Sequence, residues 1–464
     1  MRNVGSGARR IAVVAGTAAI TLSSLGLASI AHAATPAPCP TDPPPAWSSA
    51  ARALPIGCAG GAASAAAATA PTPTAAPTRS PAVGVAGVYT VPASIDPTGG
   101  TEVSDALQQW LASIPAASAA NPITVRFQPN ANYWLDYTLL LRKRAGATGG
   151  IVGNMWRALA GFDLSNVTLD LNGATLQQRT TTPWRYGNGA VLDARKRWGN
   201  PMLFTAGATN VRITNGTLVG SQTGGRYDPD REDWMGILIG GDNDDDLAAS
   251  MRVDRMTIRN VWGDFVYLAS QTSRGKLLKD VTIEDNTMRS AGRHGIVIHG
   301  GTNVAIRRNT IVGARRITFD SEPAAVHGWQ DVAITDNTVT AGSLGFFQYI
   351  GQRTSVASGL TITNNTITRG HCTVETSNNS DALRDRLVIT GNRSTDPDEF
   401  RRSVLHRSLI SVWRWSGVTI ADNSDRVHVN SRTYAVSTPG SVGTVARNDW
   451  TGAAALAAAR PVLR

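Results

Sequence analysis

The chain is 464 residues long, 42% hydrophobic and only 17% charged, with 46 glycines and a formal charge of +10. That apolar content excludes a chain disordered throughout, and many glycines beside few charges point to frequent turns rather than long solvated helices. The positive surplus suits anionic partners such as uronic-acid polymers, wall polymers or nucleic acid, but the arginines are scattered, as on a solvated basic surface, and no basic-aromatic platform for nucleic acid occurs.

In chain order, MRNVGSGARR is basic, the next twenty residues are apolar, and AHA precedes Ala34. This is the pattern of a secretory signal peptide over residues 1–33, and its loss would remove Arg2, Arg9 and Arg10 and leave +7. No second apolar run of about 18 residues follows, so the mature chain is expected to be extracellular without a membrane span. Residues 34–85 are rich in Ala, Pro and Thr, a composition that cannot bury a core, and read as a linker or stalk. Cys39 and Cys58 flank part of it and are candidates to pair, while Cys372 in GHCTVETS reads as a buried apolar side chain. TEVSDALQQWLASIP places Val103, Leu107, Trp110, Leu111 and Ile114 on one helical face, with Ser or Thr available as N-cap. ITVRFQPNANYWL then alternates as a strand does.

From about residue 160 the sequence repeats. NVTLDLNGATL, DVTIEDNTMRS, NVAIRRNTIVG, DVAITDNTVTA and GLTITNNTITR vary one theme, with asparagines at 286, 309, 337, 365, 392 and 423. A period of 20 to 30 residues with several short strands predicts a solenoid, and these strands predict an all-β right-handed parallel β-helix over 86–440, closed at its start by the helix. Residues 441–464 would be a C-terminal cap or tail. Asn at a tight turn tolerates left-handed geometry and bonds to its equivalent one coil away, so these asparagines are structural and the Asn-x-Thr triplets are no sign of glycosylation.

A second strand recurs in each coil, in MGILIGG, GDFVYLAS, RHGIVIHGG, RRITFDSEP, LGFFQYIGQ, GHCTVETSN and LISVWRWS. This run resembles the pectate-lyase-like and polygalacturonase-like β-helix superfamily, which implies a substrate groove over this sheet. Four motifs of that family echo on successive coils. Asp233-Trp234-Met235 departs from the first, Gly263-Asp264 keeps one Asp of two, Arg293-His294-Gly295 keeps the His, and Arg316-Ile317-Thr318 keeps the Arg and loses the Lys. Those departures put the family's hydrolytic mechanism in question.

RRITFDSEP carries Asp320 and Glu322 two residues apart, which in a strand share one face. Aligning the coils by their apolar positions turns His299, Asp320, Gln348 and Glu375 outward in one column, with Asp320 and Glu375 two rungs or about 9–10 Å apart, near the spacing of inverting glycosidases. The catalytic candidates are therefore Asp320, Glu322, Asp264 and Glu375. Arg293, His294, Arg316 and His299 would bind substrate, with Tyr267, Tyr349 and Trp413 as sugar-stacking rings beside Trp329 and Trp415. Asp242, Asp244, Asp245 and Asp246 lie in one loop, so calcium is the one metal alternative to a cofactor-free protein, although the spacing matches no EF-hand. The expected partner is a polysaccharide, an anionic one included, and the expected state a monomer.

Three functions stay open. The first is hydrolysis of glycosidic bonds by a carboxylate pair. The second is a uronic-acid lyase or epimerase, which needs a base and a cation to neutralise the substrate carboxylate. The third is a non-catalytic β-helix that binds glycans or a cell surface.

Overall fold

The computed structural model describes residues 87–141, 164–179 and 201–449, the last without 206, 230, 241–247, 271–276, 323–326, 350–355, 371, 377–383, 396–407, 426–433 and 438–439. The leader, the linker, Cys39, Cys58 and the four clustered aspartates lie outside the described residues.

Within them the strands form two parallel sheets, one of nineteen strands and one of ten. Most coils contribute two strands to the long sheet and one to the short sheet, while Thr209–Val219 and Ala249–Val261 each run on as one long strand in place of the pair. In one coil these are Lys279–Glu284, Thr287–Ala291 and Ile296–Ile298. The next coil repeats them as Gly301–Arg307, Thr310–Ala314 and Ile317–Ser321, in parallel register. Alternation does the sorting, because Val281, Ile283, Val304 and Ile306 point into one continuous apolar core and their neighbours point out. On the outer face the neighbours include ion pairs such as Arg212–Asp254 at 2.6 Å, Arg252–Glu284 at 2.7 Å and Arg307–Glu284 at 2.7 Å.

The expected asparagine ladder is present. Nδ2 of Asn286, Asn309, Asn337, Asn365, Asn392 and Asn423 each donates to Oδ1 of the equivalent residue one coil on, at 2.8–3.0 Å. It runs one rung further than the repeat suggested, to Asn448, and the strand Gly443–Ala446 continues the long sheet past residue 440. One expectation needs correction. The left-handed residue is the one before each ladder Asn, with φ of 57° at Asp285, 53° at Arg308, 57° at Asp336 and 56° at Asn364. The ladder side chains instead point inward and are nearly fully buried.

The helix spans Ser104–Ser113 and contributes Leu107, Trp110 and Leu111 to the core. Its N-cap is Val103 rather than Ser or Thr, and the Glu102 carboxylate accepts the Ser104 amide at 2.9 Å in place of a cap side chain. Gln108 reaches the strand Leu139–Leu140, at the end of the ten-stranded sheet. Its Nε2 donates to the Leu140 carbonyl at 3.1 Å, and its Oε1 accepts the Leu140 amide at 2.8 Å. Among the described residues no helix is long and apolar enough to cross a membrane.

Candidate active site on the ten-stranded sheet

The ten-stranded sheet stacks the motif-bearing strands in sequence order, so residues far apart in the chain become neighbours on one face. Its outward column reads Leu238, Tyr267, Val297, Asp320, Gln348, Glu375 and Ser411. The Asp320, Gln348 and Glu375 rungs stand as expected. His299 does not share their column: Val297 pairs with Asp320, a slip of two residues.

Arg293 organises the cluster. Its Nη1 donates to Asp264 Oδ2 at 3.1 Å and its Nη2 to Glu322 Oε2 at 2.7 Å, and Nε lies 3.6 Å from Glu232 Oε2. The His294 amide adds a 2.9 Å bond to Asp264 Oδ1. Burial works against the charged guanidinium, but the carboxylates of Asp264, Glu322, Asp320 and Glu232 outweigh it and raise its pKa well above the ordinary arginine value. Asp264 is wholly buried, and burial pushes its pKa up to about 7 against the pull of Arg293 and the His294 amide.

His294 is buried behind the same face, with Nε2 3.4 Å from Asp320 Oδ2. The Ile317 amide donates to Nδ1 at 3.3 Å, so the proton of the neutral ring sits on Nε2 and faces Asp320. Burial, with Arg293 and Arg316 nearby, holds the imidazole neutral by lowering its pKa well below the usual value. His294, Asp320 and Glu322 bring ligand atoms within 4.8 Å of one another. A ring whose Nε2 carries the proton offers no lone pair there, so this arrangement does not fit a cation.

Asp320 and Glu322 differ sharply in environment. Asp320 is 0% exposed, and burial and the Glu322 charge raise its pKa well above the carboxylate range. The Glu322 side chain is 32% exposed, and Arg293 overrides the effect of burial to hold it below its ordinary value. The outward direction foreseen for Asp320 is correct, but its burial is not what an outward direction leads one to expect. Glu322 is the carboxylate that solvent reaches.

The other expected residues fall into two groups. Tyr267 and His299 lie beside the cluster with rings 6.1 Å apart, His299 Nδ1 is 3.2 Å from the Ser270 carbonyl oxygen, and Arg316 is half-buried over the Tyr227 ring at 4.8 Å. Glu375 lies two rungs from Asp320, and Trp413, 39% exposed, follows the strand one rung beyond it. Tyr349 is not a stacking platform. It points into the core, edge-on to Trp329 at 5.5 Å and under Arg384 at 4.8 Å, and Trp329 and Trp415 are buried with it. Pairing of Ser321 with Tyr349 gives the reason, because Tyr349 has the inward parity of its strand.

Sequence reasoning missed Glu232 and Tyr227. Both belong to an irregular strap over 221–235, described except at 230, with no repeat pattern to mark it. The strap packs on Gly263, where a Cβ would collide with the Glu232 carbonyl oxygen. Arg231 is held 4.4 Å from the Trp262 ring, and Tyr227 Oη donates to Glu232 Oε2 at 2.7 Å.

Residues 235–435 match the family described as right handed beta helix region. No curated protein matches the sequence. Among solved structures, a tailspike protein mutant of E. coli bacteriophage HK620 in complex with pentasaccharide matches with a TM-score of 0.50 at 12% identity, covering 76% of this chain and 59% of that one. A double mutant of the same tailspike gives 0.49 at 12% identity with the same coverage. The chain thus spans less than two thirds of the tailspike's length, and at this identity the likeness is one of fold alone. The parallel register of the strands and the match over 235–435 give the described residues the fold of a right-handed parallel β-helix.

Proposed function

We propose that this is an exported polysaccharide-active enzyme that hydrolyses glycosidic bonds with carboxylates on the outer face of the ten-stranded sheet. The observation that carries the reading is the unlike pair Asp320, on the strand Ile317–Ser321, and Glu322, just past its end, with environments that push their pKa values apart. Asp320 passes the proton it holds through Glu322 to the leaving oxygen, and Glu322, ionised again and open to solvent, then takes the proton of the attacking water and returns it to Asp320, so the pair ends as it began. Arg293 sets the position and charge of Glu322, and Glu375 offers a second carboxylate two rungs along the same face. The saccharide bound to the tailspike of similar fold agrees with a glycan ligand but does not define one.

The test uses residues 34–464 on a panel of neutral and acidic polysaccharides, reading reducing ends and ultraviolet absorbance from the same samples. Reducing ends without absorbance are expected, and Glu322→Gln should lower turnover by about 10²–10⁴-fold. Absorbance from unsaturated products would mean a lyase instead. Retained binding with no change in polymer length would mean a non-catalytic binder. Export is checked separately: the protein recovered from culture medium should begin at Ala34.

A further inference from the structure

The strap over 221–235 places an aromatic ring and a carboxylate beside Glu322 that the catalytic reading does not use. Tyr227 is 36% exposed, among the few large apolar side chains that are open in the described residues. The ring is fixed rather than loose, because its hydroxyl is tied to Glu232 and the Arg316 guanidinium covers it at 4.8 Å. A rigid, half-open aromatic with polar groups at its edge is the chemistry that receives the apolar face of a sugar.

The charge at this edge is specific. The Glu232 and Glu322 side chains are each 32% exposed and share one guanidinium, through Nε and Nη2 of Arg293. Arg293 itself is only 11% exposed, and its Nη1 is bonded to Asp264. Arg293 is therefore turned inward while two carboxylates face out, and the half-buried Arg316 guanidinium lies against the Tyr227 ring. Behind them the Asp320 carboxyl is fully buried, within 4.8 Å of Glu322. An incoming sugar finds acceptors for its hydroxyl or ammonium groups, whereas a uronate would meet like charge.

We propose that Tyr227 and Glu232 form a sugar-binding subsite next to Glu322 that takes a neutral or amino sugar and disfavours a uronic acid. This rests on the reading of the chain as a glycan-active protein, and it narrows the partner expected from net charge. The subsite is preorganised by the Arg231 contacts with Trp262 and Trp234, at 4.4 and 5.8 Å, and by the Asp228–Arg231 ion pair at 2.5 Å.

The experiment measures calorimetric binding of three oligosaccharide series to the Asp320→Asn chain, which loses the buried carboxyl and keeps both exposed carboxylates: neutral hexose, glucosamine and galacturonate. The neutral or glucosamine series should bind more tightly than galacturonate. Tyr227→Ala should weaken binding about tenfold or more, and Tyr227→Phe, which keeps the ring, should weaken it less. Glu232→Gln should weaken the glucosamine series and improve galacturonate. Tighter binding of galacturonate, no binding of any series, or binding indifferent to Tyr227→Ala overturns the proposal. Thermal midpoints equal to the parent exclude misfolding of the variants. Binding is read without cleavage, so a chain that binds neutral sugars through Tyr227 yet never cleaves them sinks only the hydrolase reading. One that cleaves but prefers uronates sinks only this subsite.

Discussion

Asp264 shows how one residue can tie stability to pH. Burial gives it a higher pKa folded than unfolded, so between about pH 4 and pH 7 the folded chain holds a proton that the unfolded chain has released. The favourable contribution is therefore complete on the acid side and is lost as pH rises through about 7. Urea midpoints at pH 4.5, 6 and 7.5 should fall in the parent more steeply than in Asp264→Asn, with a difference of up to about 4 kcal/mol. A parent and variant with equal slopes would mean that Arg293 keeps Asp264 ionised throughout. The residue was visible in the sequence because Gly263-Asp264 opens a recurrent strand, and Arg293, Asp320 and Glu322 were visible for the same reason. Glu232 was not, because one position away from the motif-like Asp233 the chain leaves the repeat, and nothing local reports what an irregular strap folds onto.

At the scale of the element, the asparagine ladder and the strap obey different physics. Asn337 donates Nδ2 to the Ile306 carbonyl and to Asn365, and its Oδ1 accepts both the amide and Nδ2 of Asn309. Asn337→Ala strands several buried groups, each costing about 1–3 kcal/mol, and chemical denaturation should show a loss of at least about 3 kcal/mol. Asp336→Ala touches only the left-handed turn and should cost about 1–2 kcal/mol. Beneath the strap, Gly263→Ala drives a methyl group into the Glu232 carbonyl. Turnover should fall although no carboxylate has been altered, with KM rising more than kcat falls if Glu232 serves binding. The ladder could be read from spacing alone, whereas the phase of the outward column could not be carried across the short coil between Asn286 and Asn309. That coil has 23 residues where the next has 28, which is why His299 was placed in the rung that Val297 occupies.

For the whole molecule, each coil rests chiefly on its neighbours, so damage at one end should stay local unless that end closes the stack. Gln108 satisfies both backbone groups of Leu140 on the terminal described strand of the ten-stranded sheet. Gln108→Ala leaves a sheet edge with open donors and acceptors. The expected outcome is early proteolysis near residues 104–141 and a concentration-dependent rise in light scattering, while the Asn365–Asn423 region keeps its hydrogen-exchange protection. Uniform loss of protection along the chain would show that the coils unfold as one unit.

The equal rungs of the asparagine ladder have a further consequence. Separations of 23 to 31 residues all span amide contacts of 2.8 to 3.0 Å. The axial pitch is therefore independent of how much chain lies between rungs. The molecule behaves as a ruler with constant graduations and interchangeable margins. An extended polymer laid along it meets equivalent positions at one fixed interval, and changes in the margins alter what grips the polymer without altering where the graduations fall.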